Sequence, residues 1–226
     1  MPPIRPLLIL AVAALSAAGV IGSLEAQPRA ERGFSTAVSD RLIGLYGQRF
    51  GPLAVERLHA WKLYARSRGA APGSEHDLLD EVNRVLNRIA FVEDAAHWGE
   101  EDYWATPAES VASNGADCED YTIAKYFLLK ELGVPIARLR MTYVKSVKLN
   151  QAHMVLAYYA RPDAEPLVLD NLEDRVRPAS QRRDLIPVYS FNDEEVWVEL
   201  QGRSGSPRQI RNWAALVERL ERERRT

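Results

Sequence analysis

An internal disulfide is excluded at once, because the 226 residues contain one cysteine, Cys118. A lone thiol is either a small buried hydrophobe or a working group, and its neighbours decide which. A surplus of one charge is also lacking. Lys and Arg number 29 against 31 Asp and Glu, a formal net charge of −2, which gives no basis for a nucleic-acid partner. The Arg-rich end ERERRT carries Glu as well and reads as a solvated helix end. No repeat or low-complexity run is visible. The longest apolar run near the start, Leu7 to Ile21, is shorter than the roughly 20 residues a membrane-spanning helix needs.

That run has informative flanks. Arg5 precedes it and the small-residue site Leu24-Glu25-Ala26 follows, the order of a secretory signal peptide. We therefore expect a signal over residues 1–26, cleaved or retained as an anchor, with no stable membrane insertion after cleavage. No cysteine follows the run, so a lipoprotein anchor is not expected. Residues 27–226 then form one exported domain. In an oxidising compartment thiols are normally paired, which makes a solitary one informative.

Apolar positions Leu42, Leu45, Tyr46, Val55, Leu58, Trp61 and Tyr64 recur at helical spacing, and Gly51-Pro52 divides them into two helices. Ser74 can cap a third helix with Leu78, Val82, Val85, Leu86 and Ile89 as its buried stripe. Residues 94–116 have no period and read as a long loop with at most a turn of helix. A further helix begins near Asp117, turns Ile123, Ala124, Phe127 and Leu128 inward, and stops at Gly133-Val134-Pro135. From there the period becomes two: Leu139, Met141 and Tyr143; Val155, Ala157 and Tyr159; Leu167 and Leu169; Val196, Val198 and Leu200. Ile210, Trp213, Leu216 and Leu220 mark a closing helix. Helices followed by strands predict an α+β domain with an antiparallel sheet: helical over about 35–135, sheet over about 136–202, closing helix over about 207–224.

Cys118 sits at the predicted first turn of the middle helix, with Asp117 at the N-cap position. The positive end of a helix favours a thiolate there. His153 opens one strand and Asp170 closes another. A hairpin turning between Arg161 and Pro162 puts them opposite or nearly opposite on one face, the separation a base and its orienting carboxylate require. A longer, asymmetric turn would shift that register. Taken singly, the Cys reads equally as structure, the His as an ordinary strand residue and the Asp as a turn former. Together, in a one-cysteine exported chain, they favour chemistry. His59, His76 and His97 are weaker base candidates.

The blocks GADCEDYTIAKYFLLKELGVP, AHMVLAY and LVLDNL, within about Trp98 to Trp197, resemble the bacterial transglutaminase-like cysteine proteases of the LapG type. The resemblance implies a papain/transglutaminase-like core, the nucleophile helix packed on an antiparallel sheet. It implies Cys118 as nucleophile, His153 as general base and then acid, and Asp170 fixing the imidazole. It further implies a periplasmic endopeptidase that clips a large surface adhesin near its N-terminus at an Ala-Ala pair, releasing cells from a biofilm. An inner-membrane cyclic-di-GMP receptor that sequesters the protease belongs to the same implication.

Asp117, Glu119 and Asp120 bracket the thiol. Their charges should raise its pKa, against a helix dipole worth only about 0.3–1 kcal/mol at an exposed site. Two readings compete: the acids complement the helix N-terminus, or they hold a divalent cation, for which carboxylate oxygens suit Ca²⁺. The resemblance implies a calcium-dependent enzyme with its ligands in this segment. Asp193-Glu194-Glu195 reads as a solvated turn. Trp98 and Trp104 fit either the cleft or the core. The rival functions are a transglutaminase or amidase using the same three residues, and a non-catalytic calcium-binding module.

Overall fold

A computed structural model describes residues 38–69, 73–198, 202–203 and 205–226; the expected signal segment and Leu200 lie outside these. Among the described residues no helix is long and apolar enough to cross a membrane.

Helices α1 (Asp40–Phe50) and α2 (Pro52–Gly69) are parted where the sequence indicates. Ser39 caps α1 by accepting from the Leu42 N–H at 3.0 Å, and Gly51 turns the chain at φ 87°, a conformation glycine adopts without a Cβ clash. Helix α3 (Glu75–Leu86) starts at Ser74, whose hydroxyl accepts from the Asp77 N–H at 3.1 Å. Its buried residues are Leu79, Val82, Asn83 and Leu86, while Leu78 and Val85 are half-buried.

The segment expected to be a loop is more ordered than that. Strand β1 (Ala90–Phe91) lies just before it, and it holds the short helix α4 (Asp94–His97), helix α5 (Pro107–Ser113) and strand β2 (Gly115–Ala116). Helix α5 has a complete capping box between Thr106 and Glu109 with Pro107 in its first turn. Pro107 through Ala112 are all buried, so no polar face exists to create a period. The pattern failed there for a physical reason.

Helix α6 (Cys118–Glu131) runs through the centre and is buried without a break from Asp120 to Leu129. One side rests on the sheet and the other on the helices. The sheet comprises β3 (Leu139–Ser146), β4 (Gln151–Tyr158), β5 (Leu167–Asp170), β6 (Glu173–Pro178), β7 (Leu185–Phe191), β8 (Val196–Val198) and β9 (Gly202–Arg203). Its order is β6-β5-β4-β3-β7-β8-β9, antiparallel throughout. Strand β7 carries Pro187 although it is internal to the sheet. The ladder pairs Tyr143 with Tyr189 and Val144 with Pro187, so Val188 is bulged out. A bulge is where an internal strand tolerates proline.

The closing helix α7 (Arg211–Arg225) docks through Trp213, Leu216 and Leu220, with Trp213 stacked on Phe127 at 6.0 Å. Near its end Glu223 is buried. Its carboxylate accepts from the Tyr46 hydroxyl, and from the Thr106 hydroxyl at 2.6 Å. Burial pushes the Glu223 carboxyl up to about 7, against the two hydrogen bonds that lower it. The folded chain therefore holds this proton more tightly than the unfolded chain, and stability falls as pH rises from about 4.3 towards 7. Glu223→Gln mimics the protonated acid. It should melt higher than the parent at pH 8, by on the order of 1–3 kcal/mol, with a clearly smaller gain at pH 5. Thermal melts at the two pH values check this; equal gains at both would refute it.

Candidate active site

The first turn of α6 is bolted to β4. The Thr122 hydroxyl lies 2.9 Å from the Cys118 carbonyl and 3.0 Å from the Met154 carbonyl, and the Met154 backbone N–H hydrogen-bonds the Cys118 sulfur. His153 is the next residue on that strand. Cys118 and His153 thus line one cleft of about 530 Å³, together with Tyr143, Tyr189, Trp104 and Arg211. Tyr143 and Tyr189 stack with ring centroids 5.3 Å apart. Trp104 answers to both readings offered for it, since it borders the cleft and is buried against Phe191. Trp98 packs on Phe50 and Tyr103 instead, away from the cleft lining.

His153 and Asp170 meet at 2.8 Å, imidazole Nε2 to carboxylate Oδ1. They do so on a register different from the symmetric hairpin. Strands β4 and β5 pair Leu156 with Leu169 and Tyr158 with Leu167, so the turn is longer and the two residues are diagonal neighbours on one face. The imidazole bridges the offset. Nε2 being engaged, Nδ1 is the ring nitrogen left for a proton from elsewhere.

Asp170 is 1% exposed. Burial alone would raise its carboxyl, but hydrogen bonds from His153, the Leu172 N–H and Arg182, with the His153 charge, hold it at about 2. The Asn87 amide donates to the Asp170 carbonyl at 3.0 Å, and the Asn83 amide to the Glu173 carbonyl at 2.8 Å. Helix α3 thereby fixes the turn that follows Asp170.

The acids around the thiol form a different group from the three adjacent in sequence. Asp94, Asp117 and Glu119 each offer an oxygen, all within 4.8 Å of one another. Asp94 arrives through β1, which pairs in parallel with β2: Ala90 beside Gly115, Phe91 beside Ala116. That two-residue ladder sets residue 94 beside 117. Nothing local distinguishes Asp94 from any acid in a first helical turn, so only tertiary pairing could have found it. Asp120 stands behind the group and holds the preceding segment, its Oδ1 accepting from the Ala105 N–H at 2.7 Å. Asp117 occupies the N-cap position but makes no side-chain capping bond, contrary to the simple capping reading.

Three of the buried oxygens have no hydrogen-bond partner among the described residues: Asp94 Oδ1, Asp117 Oδ1 and Asp120 Oδ2. Burial and mutual repulsion push the Asp117 carboxyl up to about 10 and Asp94 up to about 6, and raise Asp120 well above the carboxylate range. The Cys118 thiol donates to Glu119 Oε2 at 3.0 Å. Burial, then the Glu119 charge and that hydrogen bond, push the thiol far up. A protein holding these charges in a dry place without compensation is expensive. The donor set is all oxygen, as a hard dication requires.

The Asp193–Glu195 cluster behaves as a turn. Asp193 pairs with Lys130, and the Asn192 side chain accepts from the Glu194 and Glu195 N–H groups at 2.9 Å each.

Residues 65–205 match the model of a family described as bacterial transglutaminase-like cysteine proteinase. Three solved structures of Legionella pneumophila LapG are similar over 80% of this chain. An EGTA-treated form is 38% identical, with a TM-score of 0.70 over 96% of its own length. A second form is 39% identical, with a TM-score of 0.70 over 95%. A calcium-bound form is 39% identical, with a TM-score of 0.68 over 98%. No curated protein gives a significant match.

Proposed function

This chain belongs to the bacterial transglutaminase-like cysteine proteinases, and from that premise we propose that it is a calcium-dependent periplasmic endopeptidase acting through Cys118, His153 and Asp170. The observation that carries the proposal is the pairing of His153 with Asp170 at 2.8 Å on the wall of the cleft that Cys118 also lines. The sulfur of Cys118 attacks the scissile carbonyl and its proton passes to His153 Nδ1. The oxyanion is met by a backbone N–H at the start of α6, that of Cys118 itself. His153 then protonates the leaving amine, and water releases the acyl group from sulfur with the imidazole again as base. Asp170 holds the imidazole in the tautomer with Nε2–H bonded to the carboxylate and Nδ1 bare.

Asp94, Asp117 and Glu119 fit a calcium ion, because they are oxygen donors brought together in a buried place where neighbouring carboxylate oxygens have no other partner among the described residues. One of the similar LapG structures is a calcium-bound form. Bound there, the ion would supply the positive charge that lets these acids ionise beside the sulfur. Glu119 is shared between this group and the Cys118 thiol.

We assign the substrate as a large surface adhesin, cut near its N-terminus at an Ala-Ala pair, with biofilm release as the consequence and an inner-membrane cyclic-di-GMP receptor as the controlling partner. Two small residues offer little apolar area for recognition, so the peptide must be gripped in a narrow slot; the aromatic walls of the cleft suit that. The test is incubation with a recombinant adhesin N-terminal segment containing Ala-Ala, and with the same segment carrying a bulkier pair. Intact-mass measurement should find two fragments that sum to the substrate plus one water, from the first segment alone. A product heavier by an added amine would identify a transamidase instead, and an uncut segment that binds the chain would identify a docking module.

A further inference from the structure

Arg182 has no part in the chemistry above, yet it is buried at 8% exposure against Asp170. Its Nη2 donates to Asp170 Oδ2 at 2.8 Å and to Asp184 Oδ2 at 2.9 Å, and its Nε donates to Asp184 Oδ1 at 3.0 Å. The other oxygen of Asp170 takes His153 and the Leu172 N–H. The clip is tied to the surrounding backbone at both ends. Arg182 N–H donates to the Ala179 carbonyl at 2.9 Å, just beyond β6, and Val147 N–H donates to the Asp184 carbonyl at 2.7 Å, at the β3–β4 turn.

Stability alone explains this poorly. Burying a guanidinium is costly, Nη1 has no hydrogen-bond partner among the described residues, and a buried ion pair is often no better than apolar packing of the same volume. A rigid fork that fixes both the charge and the rotation of a carboxylate does explain it.

We propose that Arg182 is a positioning residue that acts through Asp170, locking the carboxylate in the rotamer that keeps His153 as the Nε2–H tautomer with Nδ1 free. The activity part of this rests on the protease reading; the tautomer part does not.

The test uses the full chain with calcium present, its histidines labelled with ¹⁵N. There are four histidines, and His153→Gln assigns the fourth signal. Near pH 8 the parent should show His153 with Nε2 protonated and Nδ1 bare. In Arg182→Gln a substantial Nδ1–H population should appear, and kcat on the Ala-Ala segment should fall roughly 10–100-fold with KM within about twofold. A loop anchor with no positioning role would lower the melting temperature and leave the tautomer alone. A folded Arg182→Gln with the parent tautomer and kcat overturns the proposal. Should that variant not fold, Arg182→Lys decides on the same two readings, since a lysine keeps the charge without the fork. If Cys118→Ala still cuts the segment, the protease reading fails, and the tautomer spectra judge Arg182 by themselves.

Discussion

Cys118→Ala should lose peptide cleavage entirely, a fall of at least about 10⁴-fold, while its calcium-loaded fold and melting temperature stay close to the parent's. The size of the effect follows from the chemistry: without a nucleophile, only substrate binding and the oxyanion contact remain to speed attack by water. The fold is spared because the removed sulfur sits at the rim of the core, partly buried beside the cleft, and α6 is held by ten consecutive buried residues further along. His153→Ala should be as inactive, since the two act as a unit. Circular dichroism and intact-mass assays on the same samples check both halves. Residual cleavage by Cys118→Ala above about 1% of the parent rate would remove the sulfur from the mechanism.

Chelation should have an effect of similar size. Saturating EGTA should cut the rate at least about 100-fold, and excess Ca²⁺ should restore it, because without a dication the sulfur stays protonated against Glu119. The same acids give a signed pH dependence. Asp94 and Asp117 are raised to about 6 and about 10 by burial and mutual repulsion. A metal-free fold with raised carboxyls loses stability as pH climbs from about 4 through those values, and calcium must displace the protons held there. The calcium-induced rise in melting temperature should therefore be larger at pH 8 than at pH 5. Asp94→Asn should need more calcium for half-maximal activity, by roughly tenfold. Full activity in EGTA, confirmed free of residual metal, would sink the calcium role.

How far the sequence reached depends on whether the signal was periodic. The helix pair split at Gly51-Pro52, the Ser74 cap and the antiparallel class all rest on local patterns, and each is found in the fold. Helix α5 was lost because its residues are buried all round, although Thr106-Pro107-Ala108-Glu109 carried a capping box that could have been read. Strand β7 was hidden by Pro187, which a bulge excuses. In the candidate site, spacing and residue type single out Cys118, His153 and Asp170 as candidates. Their meeting depends on a diagonal contact that a symmetric turn does not give. Asp94 and Arg182 were not legible. Both are brought in by pairings distant in sequence, and neither has a neighbour that sets it apart.

The proton shared between Cys118 and Glu119 has a bearing on how the sulfur survives oxidants. Peroxides and small disulfides attack thiolates, and a sulfur with its proton tied to a carboxylate offers them little. The chain has no second cysteine with which to resolve a sulfenic acid, so any oxidation that did occur would climb towards irreversible loss. Keeping the sulfur dormant until the acidic group is neutralised confines that hazard to the moments when the enzyme can work.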